Sequence, residues 1–446
     1  MKLFREVGRM LMMSSRAHAQ WDLECSKRIL ASRKRLLILG GMLGIVLMGG
    51  IAFADEAGKA LPSIIGGKEP YSPAFYSTKI FLISIGVGVA AGMITGCIGA
   101  GGGFVITPAL MSAGIKGILA VGTDLFHIFA KAIMGSVLHR KLGNISFILA
   151  IAFLVGSITG GTLGGMLNRA LYDYNPVISD AFITIVYVLM LGFLGIYAMS
   201  DYMKSRRSMK EASRSFEDFP EQVADTRADE VPNFAQKLQN VKIPPMLSFD
   251  HGITPGGRRI SGVFLVVSGL IVGLAAAIMG VGGGFLTFPI FVYILGVSSA
   301  TTVGTDIFQI VFTAGYGSLV QYAIYGFVFF SLALGMLLGS LLGVQVGSIV
   351  TKVVSGPVIR GFYAITIIAG FINRVFALPD KARKLEYLDI SKSTTTLINN
   401  IGTVIFFGVI ILFVLWVVKT FITNMGVLKG EEHMPAGPSA AEGGEA

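Results

Sequence analysis

The chain has 446 residues, of which 53% are hydrophobic and 14% are charged, and its mean hydropathy is +0.72. Soluble domains carry about 25% charged residues, so this composition excludes a soluble globular protein and indicates a protein that crosses a membrane several times. The net charge of +10 is explained by Lys and Arg side chains that hold loops on the cytoplasmic side, and no nucleic-acid partner is inferred. Cys25 and Cys97 form no zinc-like cluster with histidine, so no metal or cofactor is predicted.

The first 54 residues are expected to place the chain in the membrane. Residues 1–35 are basic and are predicted to be a cytoplasmic N-terminus. The apolar segment 36–54 ends in Ala52-Phe53-Ala54, which resembles a signal-peptidase site. It is therefore either a first transmembrane helix or a signal-like segment, and we favour the helix. Both alternatives place residues 55–78 outside the cell.

Two similar membrane repeats follow, at 79–200 and 260–377, and each is predicted to contain five helical segments of which the second is short. The predicted segments are 79–97, 103–114, 118–138, 145–168 and 178–200 in repeat 1, and 260–280, 285–296, 302–323, 326–350 and 357–377 in repeat 2. Residues 201–259 are predicted to be a cytoplasmic linker in which a short amphipathic helix near 204–216 would fit. A charged loop, 378–393, precedes a last transmembrane helix at 396–418, and 419–446 form a cytoplasmic tail. The fold class is therefore an all-α polytopic membrane protein with two homologous repeats and one extra helix at each end.

A glycine-rich motif occurs once in each repeat, inside an apolar block too long for one crossing of a ~30 Å hydrocarbon core. The first copy is Gly99-Ala100-Gly101-Gly102-Gly103-Phe104, followed by Pro108 and Gly122-Thr123; the second is Gly280-Val281-Gly282-Gly283-Gly284-Phe285, followed by Pro289 and Gly304-Thr305. We call these two runs the first and second glycine knots. Such a break in a membrane helix is tolerated only where it is buried in protein or lines a water-filled cavity. The short helix that follows it has free N–H groups and a positive dipole end.

The knots therefore predict an anion site built from main-chain donors, with glycines that let the ligand approach the backbone closely. The candidate substrate-binding residues are Gly99, Gly101, Gly102, Gly103, Phe104, Thr123, Gly280, Gly282, Gly283, Gly284, Phe285 and Thr305. The scattered glycines of 156–165 are interpreted as helix-packing positions of the GxxxG type.

The charges in short connections favour repeats of opposite orientation. His139-Arg140-Lys141 follows the third segment of repeat 1 and is expected in the cytoplasm, whereas the matched stretch of repeat 2, Gln321–Tyr325, carries no charge. Five crossings in each repeat also invert the second copy. The sequence therefore favours inverted repeats, and parallel repeats of four spans with shallow re-entrant knots are the alternative.

A carboxylate follows each Gly-Thr pair, at Asp124 and Asp306. One interpretation is a helix N-cap, in which the side chain accepts from free amides of its own helix. The other is coupling of transport to a proton or cation, because ionisable residues inside membrane segments are functional candidates. On this second interpretation His127 and Lys131 share one helix face with Asp124, and Gln309 occupies the place of His127 in repeat 2. The coupling candidates are Asp124, His127, Lys131, Asp306 and Gln309.

The doubled pattern of a glycine run, a spaced proline and Gly-Thr resembles the TauE/SafE family, the sulfite exporters of the toluene-sulfonate uptake permease superfamily, from about Ile80 to Phe376. The resemblance implies a multi-pass transporter in a bacterial inner membrane for a small anion such as sulfite, a sulfonate or a related organic acid. It also marks the two knots, Thr123 and Thr305 as substrate-site candidates. The family commonly has Ser after Gly-Thr, where this chain has Asp124 and Asp306.

Three hypotheses follow for function. The first is secondary transport of a small anion by alternating access, in a lipid bilayer, with or without a coupling proton or cation and as a monomer or homo-oligomer. The second is a non-transporting membrane anchor for a redox or signalling complex that docks on the linker. The third is an intramembrane aspartyl protease built on the two aspartates, which is disfavoured because both belong to copies of one motif. A non-enzymatic transporter is therefore the expectation, and its substrate and direction are left open.

Overall fold

The computed structural model describes residues 78–98, 102–141, 145–212, 233–250, 257–350, 353–354 and 356–424, together with Leu37 and Gly41. Most of the predicted helix 36–54, the basic N-terminus before it, residues 99–101 of the first knot and the tail after 424 lie outside the described residues.

Within these ranges the chain is almost entirely helical, with one small antiparallel hairpin between its two halves. The first half contains α1 (Thr78–Ile98), α2 (Gly103–Ser112), α3 (Gly117–Lys141), α4 (Phe147–Tyr174) and α5 (Pro176–Ala212), and the interval between the halves contains α6 (Asn233–Gln239), β1 (Met246–Phe249) and β2 (Arg258–Ser261). The second half contains α7 (Gly262–Met279), α8 (Gly284–Pro289), α9 (Ser299–Tyr316), α10 (Phe330–Val350) and α11 (Gly356–Lys384), and α12 (Lys392–Thr423) ends the fold. A π-helical turn (Ile290–Ile294) extends α8, and a π-helical turn (Gly317–Tyr322) and a 3₁₀ turn (Ala323–Tyr325) extend α9.

Two predicted intervals are more regular than expected. The charged stretch 378–393 was predicted as a loop, but α11 continues to Lys384 because Asp380 pairs with Arg383 at 3.1 Å and with Lys384 at 2.7 Å. Such pairs three and four residues apart support a helix beyond its apolar part. The predicted linker likewise carries regular structure at both ends, because α5 runs to Ala212 and the hairpin of β1 and β2 precedes α7.

Seven of the helices in the described ranges are long and apolar enough to cross a membrane. Two further apolar helical segments, 81–97 and α2, are shorter. Large apolar side chains face outward on these helices, for example Ile151 and Val155 on α4, Leu189 on α5 and Leu412 on α12. An apolar exterior of this kind is the surface expected against lipid, so the chain is an all-α polytopic membrane protein.

Helices pair across the two halves in a pattern that is unchanged when the halves are exchanged. α1 packs on α10 and α7 packs on α4, while α3 packs on its counterpart α9 and α5 on its counterpart α11. Glycines permit the closest of these contacts. A Cβ on Gly156 would lie 1.8 Å from Val266 O, and one on Gly269 would lie 2.1 Å from Phe153 O. The packing role predicted for the glycines of 156–165 is therefore confirmed at Gly156, where no side chain would fit.

The counterpart helices α3 and α9 run in opposite directions. Near the start of α3, Gly122 lies against Tyr322, at the C-terminal end of α9. Further along α3, Phe129 lies against Gly315. Because the contact moves backward along α9 as it moves forward along α3, the two helices are antiparallel.

The hairpin fixes the start of α9. The Asp250 carboxylate after β1 accepts hydrogen bonds from Ser298 N at 2.8 Å, Ser298 Oγ at 2.9 Å and Thr301 Oγ1 at 2.5 Å. Arg258 of β2 donates to Gly296 O at 3.0 Å. Phe249 and Ile260 are fully buried against the second half. This part of the predicted linker is therefore a component of the fold.

Candidate functional site

The two glycine knots meet in the interior of the molecule. A Cβ on Gly103 would lie 2.9 Å from Val281 Cα, and a Cβ on Gly280 would lie 2.8 Å from Val121 Cα and 3.0 Å from Thr107 Oγ1. Main chain thus touches main chain where the two broken segments cross. Any side chain at these positions would separate the halves, which explains physically why glycine stands at both.

Each short helix begins without a side-chain cap. Gly102 is the N-cap of α2 and Gly283 is the N-cap of α8, and neither helix start receives a hydrogen bond from a capping side chain. Gly280, Gly282 and Gly283 have φ of 81°, 69° and 82°, the left-handed region that glycine enters without steric cost. The first amides of α2 and α8 therefore have no side-chain cap, and the positive ends of the two helix dipoles lie at the knots.

The helix end that precedes the second knot is capped by side chains that sequence reasoning missed. The last carbonyls of α7 accept from Tyr187 OH (to Met279 O at 2.5 Å), from Tyr322 OH (to Ala277 O) and from Asn168 Nδ2 (to Ile278 O at 3.2 Å). Unpaired carbonyls inside a membrane protein cost several kcal/mol each. These three polar side chains, from α5, the end of α9 and α4, stabilise the break at Gly280. The sequence signal for such capping is the presence of tyrosine and asparagine inside otherwise apolar helices.

The N-cap interpretation of the two aspartates is wrong. α3 begins at Gly117 and α9 at Ser299, so both carboxylates project from helix interiors, and the cap of α9 is Ser298. Gly122 is accommodated within α3, where it allows close approach to Phe327 O.

The first aspartate belongs to a buried polar chain that crosses between the halves. Asp124 Oδ2 accepts from Thr107 Oγ1 of α2 at 2.9 Å, and Asp124 Oδ1 lies 3.7 Å from His127 Nδ1. His127 Nε2 lies 3.0 Å from Ser340 Oγ of α10. Asp124 and Thr107 are fully buried, and His127 is 2% exposed. The predicted proximity of Asp124 and His127 on one helix face is therefore found, with Ser340 as an additional partner.

A second polar chain stands at the equivalent positions of the other half. Gln309 Nε2 donates to Asp306 Oδ1 at 2.8 Å, and Thr313 Oγ1 donates to Gln309 Oε1 at 2.7 Å. Thr313 Oγ1 also lies 2.9 Å from Ser157 Oγ of α4. Asp306 Oδ2 lies 3.1 Å from the place that a Cβ on Gly284 would occupy, so this carboxylate faces the start of α8. The two aspartates are thus held by separate partners on separate helices, whereas a protease dyad needs them side by side.

The threonines of the two Gly-Thr pairs have a structural role. Thr123 Oγ1 accepts from Phe329 N at 3.0 Å and Thr305 Oγ1 accepts from Ser146 N at 3.0 Å. Each accepted amide lies just before the fourth helix of the opposite half, α10 or α4, where amides lack helical partners. Both hydroxyls are therefore used to join the halves.

A buried arginine, Arg374 of α11, was not singled out from the sequence. Its Nη2 donates to Pro108 O at 3.2 Å and to Ser112 Oγ at 2.5 Å, and its Nε donates to Asn373 Oδ1 at 2.8 Å. The guanidinium therefore holds the C-terminal half of α2, where a cation is favourable to the helix dipole. An arginine inside an apolar helix is by itself a signal of such a role.

The remaining predicted site residues are only partly described. Gly99 and Gly101 lie outside the described residues. The Phe104 ring packs edge-on against Tyr363 at 5.8 Å between centroids, and the backbone of Phe285 lies in the first turn of α8. Lys131 lies half-buried on α3, one turn after His127.

A multi-pass helical membrane protein with two broken segments that meet in its interior has the architecture of a transporter. The family model described as "Sulfite exporter TauE/SafE" matches residues 84–374. The match covers well over half of the chain, so this protein belongs to the sulfite exporter TauE/SafE family of membrane transporters, as the sequence motifs predicted.

Relatives of known sequence agree with this assignment. The chain is 29% identical over 269 residues to "Probable membrane transporter protein YjnA" of Bacillus subtilis, which covers 59% of this chain and 87% of that protein. It is 29% identical over 147 residues to "Probable membrane transporter protein YunE" of the same organism, covering 33% of this chain and 49% of that protein. A "Probable membrane transporter protein" of Xylella fastidiosa is 28% identical over 163 residues, which is 35% of this chain and 57% of that protein. The matches to YunE and to the Xylella protein therefore span about half of each relative. No solved structure matches the chain.

Proposed function

We propose that this protein is a secondary transporter of small anions in a bacterial inner membrane, and that the anion binds between the first turns of α2 and α8. The observation that carries the proposal is the meeting of the two knots with uncapped helix starts on both sides. Main-chain amides at a helix N-terminus bind anions without needing a cationic side chain. Sulfite, sulfonates and related organic acids are the proposed substrates, in line with the family's description.

The substrate-site residues proposed from the sequence remain those of the knots, including Gly102, Gly103 and Gly282 to Gly284. Thr123 and Thr305 support the site indirectly, because their hydroxyls accept from backbone amides of the opposite half. Asp306 faces the start of α8. Since an ionised carboxylate repels an anion there, we expect binding at α8 to require Asp306 to be neutral or paired with a cation.

Alternating access is the proposed mechanism. The antiparallel course of α3 and α9, together with the exchange-symmetric helix pairing, supports two inverted repeats, in which one half rocks against the other around a central site. The basic segment 1–35 and the basic end of α3, His139 to Lys141, favour a cytoplasmic location for both. The interval 201–259 and the C-terminus would then also lie in the cytoplasm.

Transport of a labelled anion into proteoliposomes tests the proposal. Purified protein should carry sulfite, isethionate or a small carboxylate down its gradient, and Gly283→Val should abolish the flux. Gly283 has φ of 82°, and a Cβ there would lie 2.6 Å from Val272 Cγ1. The matched control is Gly86→Ala on α1, where an added Cβ has nothing within 4 Å.

Insertion and monodispersity of each variant are checked by size-exclusion chromatography before flux is compared. No anion flux in the wild type, with and without a proton gradient, would refute the proposal. Equal flux in Gly283→Val and Gly86→Ala would refute the placement of the site. Gly102→Val provides the same comparison at the first knot.

A further inference from the structure

The two polar chains occupy equivalent places but differ in the chemistry they allow. Ser340 on α10 and Ser157 on α4 end the two chains at matched positions of the two halves. The first chain contains His127 where the second contains Gln309. An imidazole changes charge near neutral pH, whereas an amide does not. The residue between the carboxylate and the serine is therefore an ionisable imidazole in the first chain, whereas in the second chain an amide that does not ionise stands at the same place.

Ser340 can complete the first chain in two ways. Its Oγ lies 3.0 Å from His127 Nε2 and 3.1 Å from Leu337 O. A hydroxyl has a single proton to donate, so it donates either to the imidazole or to the carbonyl. The carbonyl is only an acceptor. When the hydroxyl donates to Leu337 O, the contact with His127 requires the proton to be on Nε2.

The Nδ1 atom of the His127 imidazole faces the Oδ1 atom of the Asp124 carboxylate. Among the described residues, His127 Nδ1 and Asp124 Oδ1 are both enclosed and have no hydrogen-bond partner, and they lie 3.7 Å apart. Buried polar atoms that are left unpaired are costly. A proton between these two atoms is the group that would satisfy both of them with a small approach of the side chains.

These contacts define two states that differ by one proton. In the unloaded state, Ser340 donates to His127 Nε2, and the neutral imidazole carries its proton on Nδ1, directed at the Asp124 carboxylate. In the loaded state, a proton is bound at Nε2, Ser340 turns its hydroxyl to Leu337 O, and the imidazolium pairs with the carboxylate. Thr107 donates to Asp124 Oδ2 in both states. With a small approach of His127 and Asp124, both imidazole nitrogens and both Asp124 oxygens have a partner in each state.

We propose that His127, positioned by Asp124 and Ser340, is the proton-binding site through which this transporter couples anion movement to a proton. The proposal rests on the proposed transport function and names its coupling ion. In the second chain, Gln309 directs its amide N–H to Asp306 and its carbonyl to Thr313, so this amide does not itself take up a proton.

Other charged and titratable groups surround the pair. Lys131 lies one turn further along α3. Tyr187 of α5 lies near Asp124 and Arg374 of α11 lies near Tyr187. An imidazolium carries the same charge as Lys131 and the opposite charge to the Asp124 carboxylate.

The direct test is nuclear magnetic resonance of the full chain labelled with [15N]histidine in lipid nanodiscs. The chain has five histidines, and His127→Gln identifies the resonances of His127. We expect a neutral Nδ1–H tautomer at about pH 9 that becomes an imidazolium as the pH falls to about 5. Ser340→Ala should move the midpoint at least tenfold in proton concentration, and the matched control Ser157→Ala should not. A His127 that keeps one charge and one tautomer throughout, or equal effects of the two serine variants, would overturn the proposal.

A flux measurement separates this proposal from the transport function itself. Isethionate is chosen as the substrate because a sulfonate stays ionised and carries no proton of its own. In proteoliposomes that contain a pH-sensitive dye, wild-type isethionate flux should change the internal pH, and His127→Gln should abolish that pH change. Isethionate flux without a pH change in the wild type would overturn proton coupling, while leaving transport intact. Absence of isethionate flux would count against the proposed substrate, and the histidine titration would still decide on the proton site.

Discussion

Replacing Gly280 by alanine tests the close contact between the second knot and α3. Gly280 ends α7 with φ of 81°, and a Cβ would lie 2.8 Å from Val121 Cα and 3.0 Å from Val121 O. A left-handed conformation costs an alanine about 1–2 kcal/mol. Overpacking against a neighbouring main chain adds about 1–3 kcal/mol. Together they predict a loss of about 2–5 kcal/mol in the free energy of unfolding.

The assay is the temperature at which the detergent-solubilised protein loses its monodisperse peak in size-exclusion chromatography. Gly86→Ala is the control, because its Cβ would meet nothing within 4 Å and a helical Gly-to-Ala change gains about 0.5–1 kcal/mol. The expected order of stability is Gly86→Ala, then wild type, then Gly280→Ala. If Gly280→Ala resists heating as well as the wild type, the second knot does not pack against α3 as described.

Three further substitutions test the contacts around the site, each by the same thermal assay. Asp250→Ala should destabilise the protein by about 1–3 kcal/mol, because the start of α9 loses an acceptor for Ser298 N and for two hydroxyls; no loss would show that the hairpin does not support the second half. Arg374→Met should lower the free energy of unfolding by about 1–3 kcal/mol for each polar group left unpaired. Arg374→Lys should restore only part of this stability, because a single ammonium cannot reproduce the guanidinium contacts. Thr123→Val should cost about 1–3 kcal/mol by leaving the buried amide before α10 unpaired, whereas Thr123→Ser should be nearly neutral, and equal losses in the two variants would contradict the hydrogen bond.

Much of the membrane fold could be predicted because hydropathy and glycine runs are local signals. The length of the apolar blocks indicated the short helices that begin at Gly103 and Gly284, and the structure contains both. The same local reasoning failed for the role of the aspartates. Their place after Gly-Thr suggested helix N-caps at Asp124 and Asp306, but α3 begins at Gly117 and α9 at Ser299, so both aspartates lie inside helices.

The partners of the site could not be predicted, because they come from distant parts of the chain. Ser340 reaches His127 across 213 residues, and Asp250 reaches Ser298 from an interval that looked like a linker. The sequence did identify the correct face of α3, since Asp124 and His127 are three residues apart on a helix. The difference between His127 and Gln309 is visible in the sequence, whereas their partners Ser340 and Thr313 are seen only in the structure.

The central claim is that an anion binds between the starts of α2 and α8, and a cryo-electron microscopy structure with bound isethionate tests it most directly. The account predicts density for the sulfonate within about 3 Å of the backbone amides of Gly103 or Phe104 in α2, or of Gly284 or Phe285 in α8. Sulfonate density held elsewhere, for example on Arg374 with both helix starts empty, would contradict it.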